Sequence, residues 1–143
     1  MRVLLVQEDP RESDWIQRTL GEAGLLPSLR LTSARGVKHA IAQLCPDEGE
    51  PAVAGGAGMP QLLLLDLKGC DGDPLELVRC MRGDPRTRRI PIVAFGTPQE
   101  LIEACYEAGV NSVVHRPEDR DDFADTLKAT ISYWTRFNEA PSP

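Results

Sequence analysis

The sequence predicts an α/β domain built on a doubly wound parallel sheet of five strands with five helices. Two observations carry this. Five runs of strand length, "RVLLV", "SLRLT", "QLLLL", "IPIVAF" and "NSVVH", recur along the chain with helical patterns between them, an alternation that calls for a parallel sheet with right-handed crossovers. Most of these runs are apolar throughout rather than alternating, as strands covered on both faces must be. At 143 residues the chain suits one domain, residues 1–143, and is short for two.

Taken in order, "RVLLV" ends at the acidic "QEDP", and Asp9 caps a first helix that begins at Pro10. In that helix Trp15, Ile16, Thr19 and Leu20 share one face, and Gly24 closes it. "SLRLT" is the second strand. "SARGVKHAIAQL" reads as the second helix, with Ser33 as its cap and Val37, Ile41 and Leu44 turned to a core. Residues 45–60, rich in Gly, Pro and Ala, read as a flexible insertion loop. "QLLLL" is the third strand, "PLELVRCMRG" the third helix with Pro74 in its first turn, and "IPIVAF" the fourth strand. "PQELIEACYEAG" makes a fourth helix ending at Gly109. "NSVVH" is the fifth strand, and 119–137 the last helix, where Phe123, Leu127, Ile131 and Trp134 form one stripe ahead of a tail over 133–143.

Composition excludes several classes. Twenty-two acidic against 16 basic residues give a net charge of -6, which argues against a nucleic-acid surface as the main function. The basic stretch "RCMRGDPRTRR" reads as a solvated helix end and loop. Cys45, Cys70, Cys80 and Cys105 show neither a CxxC pair nor metal-ligand spacing, so reduced thiols in a cytoplasm are expected. No apolar run approaches the length of a membrane span, and a soluble cytoplasmic protein is the expectation.

In doubly wound sheets the working groups collect beyond the carboxyl ends of the strands. That rule gathers Gln7, Glu8 and Asp9 after the first strand, Asp66 after the third, Gly96 and Thr97 after the fourth, and Arg116 after the fifth. A run as apolar as "LLLL" would not carry a lone carboxylate in its interior, so Asp66 is expected at the end of its strand, on the rim of the sheet.

On "VLLVQEDP", "LLLLDLKGCDGDPLELVR", "DPRTRRIPIV", "AGVNSVVHRPED" and "ISYWTRFNEAP", the chain resembles the response-regulator receiver domains, and among them the stand-alone regulators that partner phytochrome-type and hybrid histidine kinases. The resemblance implies a flavodoxin-like fold with strand order 2-1-3-4-5. It also implies a phosphorelay role without enzymatic activity of its own, a histidine kinase or other signalling protein as partner, and a homodimer built partly on the last helix. Asp66 matches the phosphoacceptor. Glu8 falls at the position of the directly metal-ligating acid, Asp9 is a substitute ligand beside it, and with Asp66 and the backbone carbonyl of Lys68 they would hold Mg²⁺.

The departures from the family pattern are specific. Gln7 stands where the pattern has an acid, which removes a charge from the metal site. Gly96 stands in place of the Thr or Ser that bonds the phosphoryl group, and Thr97 beside it faces the other way on a strand. Arg116 replaces a Lys, a planar fork for a compact ammonium. Val113 replaces an aromatic residue that moves with that Thr, and Pro74 replaces a Gly. Two readings follow: a pseudo-receiver acting through protein contacts with impaired or absent phosphorylation-driven switching, or a functional phosphoacceptor modified on Asp66. An enzyme using Asp66 as nucleophile lacks a Gly-rich phosphate loop after the first strand. His115, with no triad partner, and His39 read as structural.

Overall fold

A computed structural model describes residues 1–26, 28–46, 58–67 and 72–139. The core of the expected insertion loop (47–57), the end of the tail (140–143), Lys68 and Cys70 lie outside the described residues.

Five parallel strands, β1 (Arg2–Val6), β2 (Arg30–Ala34), β3 (Leu62–Asp66), β4 (Ile92–Phe95) and β5 (Ser112–Val114), form one sheet in the order β2-β1-β3-β4-β5. Five helices connect them: α1 (Pro10–Glu22), α2 (Val37–Leu44), α3 (Pro74–Arg82), α4 (Ile102–Ala108) and α5 (Arg120–Ser132). Successive residues of each central strand go to opposite faces, and both faces are covered. Leu4, Val6, Leu63, Leu65, Ile92 and Ala94 pack under α2, α3 and α4. Val3, Leu5, Leu62, Leu64, Val93 and Phe95 pack under α1 and α5 with Ile16, Leu20, Phe123, Leu127 and Ile131. This double burial is why the strands read as unbroken apolar runs.

Helix starts follow the sequence where a carboxylate precedes a proline. Asp9 accepts from the Arg11 amide at 2.9 Å and Asp73 from the Leu75 amide at 3.0 Å, with Pro10 and Pro74 in the first turns. The second helix departs from expectation. Ser33 lies inside β2 and caps nothing; α2 begins at Val37 after Gly36, without a side-chain cap of its own. His39 serves there instead, its Nδ1 accepting the Arg35 amide at 3.0 Å. β2 therefore sits two residues later than "SLRLT".

The last two helices are also divided. A 3₁₀ turn, Gln99–Leu101, precedes α4, and a π turn, Tyr133–Phe137, follows α5. At the far end of the sheet Arg82 acts as a clasp. Its guanidinium donates to the carbonyls of Arg88 (2.7 Å), Ile90 (2.8 Å) and Gly109 (2.9 Å) and to Asn111 Oδ1 (2.8 Å), with desolvation holding its pKa below the ordinary value. Gly109 ends α4 at φ 118°, and a Cβ there would lie 2.8 Å from Arg82 Cγ, so the turn needs glycine both for its backbone and for its clasp.

Candidate functional site

Register brings the site together. Val6 pairs with Leu65, which sets Gln7 beside Asp66 just past the end of β1. Asp66 pairs with Phe95 and Phe95 with Val114, so Gly96 and Arg116 follow at the same carboxyl edge. Asp66 is the last residue of β3 as expected, but it does not stand exposed: its residue is 1% exposed and its side chain 0%. The placement at the rim holds, and burial there is tolerated because the carboxylate is not alone. Buried carboxylates persist when paired.

The pairing is internal. Asp66 Oδ2 accepts from the Gln7 side-chain amide and from Arg116 Nη1, the latter at 2.6 Å. Gln7 is itself buried, and its Oε1 accepts the Asp9 amide at 3.0 Å. Those two bonds fix the orientation of the carboxamide, since a flip would set oxygen against carboxylate and NH₂ against N–H. The second arm of Arg116, Nη2, donates to Glu12 Oε2 at 2.6 Å. Arg120 donates to both oxygens of Glu12, reaching Oε2 at 3.1 Å from Nη1.

Aromatic rings wall this network. The Arg116 guanidinium carbon lies 4.2 Å from the Phe123 ring centre and that of Arg120 lies 4.2 Å from Trp15, while Trp15 stacks on Phe123 at 5.5 Å. Guanidinium faces on aromatic rings add cation–π attraction to the ion pairs. The Arg120 hydrogen bond, assisted by Arg116, holds the Glu12 carboxyl below its ordinary pKa against the opposing effect of burial.

Glu12 was not among the residues expected in the site. It lies 104 positions from Arg116 in the chain. Its only local sign is a third acid placed in the first turn of α1, at the end of the helix that faces the carboxyl edge of the sheet.

The metal expectation meets a poor donor set. Glu8 is exposed, and Asp9 spends one carboxylate oxygen on capping α1. Among the described residues no three His, Cys, Asp or Glu side chains come together as a cation site. Asp66 Oδ2 already accepts an N–H from Gln7 and one from Arg116, and Lys68, whose carbonyl was expected to complete the set, lies outside the described residues.

Of the remaining candidates, Gly96 follows β4 with φ 71°, the left-handed region that favours glycine. Thr97 does not substitute for a hydroxyl at 96: its Oγ1 is buried with no hydrogen-bond partner among the described residues. His115 is exposed. Cys45 and Cys80, distant in sequence, meet in space; burial, followed by the hydrogen bond with Cys80, pushes the Cys45 thiol up to about 12, so it is a protonated thiol rather than a reactive thiolate.

A five-stranded parallel sheet in the order 2-1-3-4-5, with an aspartate ending the central strand and a cation reaching it from beyond the fifth, is the arrangement of the response-regulator receiver domains of two-component signalling. The comparisons agree on that class. The cyanobacterial phytochrome response regulator RcpA, in its phosphorylated crystal form, superposes with a TM-score of 0.82 at 26% identity, covering 99% of this chain and 98% of that one. The Mn²⁺-bound form of the response regulator Rcp1 gives a TM-score of 0.80 at 23% identity over 99% of each chain. In sequence, the probable methanogenesis regulatory protein FilR2 of Methanothrix harundinacea is 28% identical over 143 residues, 99% of this chain and 88% of that protein. No family model matches the chain. Among the described residues no helix is long and apolar enough to cross a membrane.

Proposed function

We propose that the chain is a receiver-type interaction module of two-component phosphorelay signalling in which Asp66 is held by internal ion pairs and its conformation is not set by phosphoryl transfer. It acts by contact with a histidine kinase or another signalling protein in the cytoplasm, as a binding module and not as an enzyme. The observation that carries this reading is that Asp66 Oδ2 accepts from both Gln7 and Arg116 while its side chain is fully buried.

Attack on phosphorus needs a carboxylate oxygen free to align with the leaving group, and a cation to offset repulsion between the two anions. Here the charge beside Asp66 is a guanidinium also bound to Glu12, and among the described residues no cluster of His, Cys, Asp or Glu side chains offers a divalent ion a site. After transfer, no hydroxyl at Gly96 and no aromatic ring at Val113 would distinguish the phosphorylated state. A ligand shifts a conformational equilibrium only by its differential contacts with the two states. Resemblance to the stand-alone regulators and the exposure of Tyr133 and Phe137 beyond α5 support a homodimer through that end of the chain.

Incubation with acetyl phosphate and Mg²⁺ followed by intact-mass measurement tests the reading. An unchanged mass is expected. A gain of one phosphoryl group that disappears in Asp66→Asn would overturn it in favour of a functional phosphoacceptor.

A further inference from the structure

Cys45 and Cys80 are remote in sequence and adjacent in space. Cys45 caps the end of α2 and packs on the core beneath α2, α3 and α4, and Cys80 lies within α3. Their thiols are hydrogen-bonded to each other. Both residues are half-buried where Cys105 is buried, so a small solute reaches this pair.

A disulfide needs its sulfurs about 2.05 Å apart, and thiols in hydrogen-bond contact have most of that approach behind them. The bridge would have a structural consequence. All of β3, with Asp66 at its end, lies between the two cysteines in the chain, so joining them fastens the end of α2, the central strand and α3 into one ring.

We propose that Cys45 and Cys80 form a reversible dithiol–disulfide site, reduced at rest and oxidised by a small soluble disulfide such as oxidised glutathione. In the first step the Cys80 sulfur attacks one sulfur of the oxidant, giving a mixed disulfide and releasing one glutathione. In the second the Cys45 sulfur attacks the Cys80 sulfur, closing the bridge and expelling the second glutathione. Two electrons pass from the protein to the oxidant, and the two thiol protons end on the two glutathiones. Disulfides of this transient kind are the ones that a cytoplasm permits.

The order of the steps follows from the surroundings. Burial, then the hydrogen bond and the charge of Cys80, then the charge of Asp84, push the Cys45 thiol up to about 12. Cys45 therefore keeps its proton at neutral pH, and the first attack falls to Cys80. Once Cys80 carries glutathione, neither its charge nor its hydrogen bond holds that proton in place, and Cys45 completes the exchange. The site is independent of the reading of Asp66: a phosphoryl adduct there leaves this proposal untouched, and a missing bridge here leaves that reading untouched.

The test is incubation of the reduced, unaltered chain with oxidised glutathione, followed by intact mass, blocking of the remaining thiols with N-ethylmaleimide and tryptic mapping. Trypsin cuts after Lys38, Lys68, Arg79 and Arg82, so Cys45, Cys70 and Cys80 fall on three separate peptides. A mass loss of two hydrogens is expected, with peptides 39–68 and 80–82 joined and both changes reversed by dithiothreitol. Cys45→Ser should stop at the first step, with one glutathione on Cys80. The oxidised chain should gain about 5 °C or more in Tm, because the bridge closes a long loop in the unfolded state. Absence of the 39–68/80–82 link, a bridge to Cys70 in its place, a Cys45→Ser protein that takes no glutathione on Cys80, or a fall in Tm on oxidation would overturn the proposal.

Discussion

Replacing Arg116 by methionine isolates the ion pair on which the site depends. The substitution keeps most of the side-chain volume but removes the donor 2.6 Å from Asp66 Oδ2 and the guanidinium lying 4.2 Å from the Phe123 ring centre. Breaking a buried pair from one side costs about 3–5 kcal/mol, because the remaining charge is left in a poor solvent. Gln7 still donates to the same oxygen, which places the expected loss near the lower end, about 3 kcal/mol. The cation–π contact accounts for roughly 1 kcal/mol of it. For a chain of this size that is a fall in Tm of about 10 °C. Asp66→Asn in the Arg116→Met background removes the stranded charge and should recover at least half of the loss. The assay is urea and thermal denaturation of the four proteins of the cycle at neutral pH. A single-variant loss below about 1 kcal/mol, the range of an exposed pair, would refute the reasoning, as would a second substitution that recovers nothing.

Gln7→Asp sets a second carboxylate against Asp66; it should lower Tm in the absence of divalent cations and regain it with Mg²⁺, whereas the unaltered protein's Tm should not respond to Mg²⁺. Glu12 has a depressed pKa in the folded state, so its stabilising contribution is fully present above the unfolded value of 4.5 and is lost as pH falls through the folded one. The urea midpoints of the parent and Glu12→Gln should therefore differ by a constant amount from pH 6 to 8 and converge in acid. Gly96→Ser puts a side chain on a backbone at φ 71° and should cost about 1–2 kcal/mol by urea denaturation, without yielding a phosphoryl adduct from acetyl phosphate.

The fold was legible where burial wrote it plainly. β1, β3 and β4 are covered on both sides, so each announces itself as an apolar run, and Asp9 before Pro10 announces the first helix because a carboxylate before a proline has few other local uses. β2 was placed two residues early because Arg30, Thr32 and Ser33 are exposed or half-buried on an edge strand, where no burial pattern fixes the register. The same ambiguity made Ser33 resemble a cap. At the site, Asp66, Arg116, Gln7 and Gly96 were all locatable from their places after strands. Their relations were not: that Gln7 bonds Asp66 depends on strand register, and that Glu12 divides itself between two arginines depends on a contact spanning most of the chain. How deeply Asp66 is buried at the strand end was not legible, because a strand sequence shows the carboxylate but not how far its partners close over it.

The Arg82 clasp gives α4 unequal ends. Its last turn is stapled through Gly109 to α3 and to the approach to β4, while its first turn emerges from a short 3₁₀ stretch bordering an open cavity. Seven residues make a rod of about 10 Å, so tilting it by about 10° around the stapled end displaces the other end by only about 2 Å. Any message leaving this face is therefore written in small movements, legible to a partner that reads side-chain positions and lost on one that requires a helix to swing away.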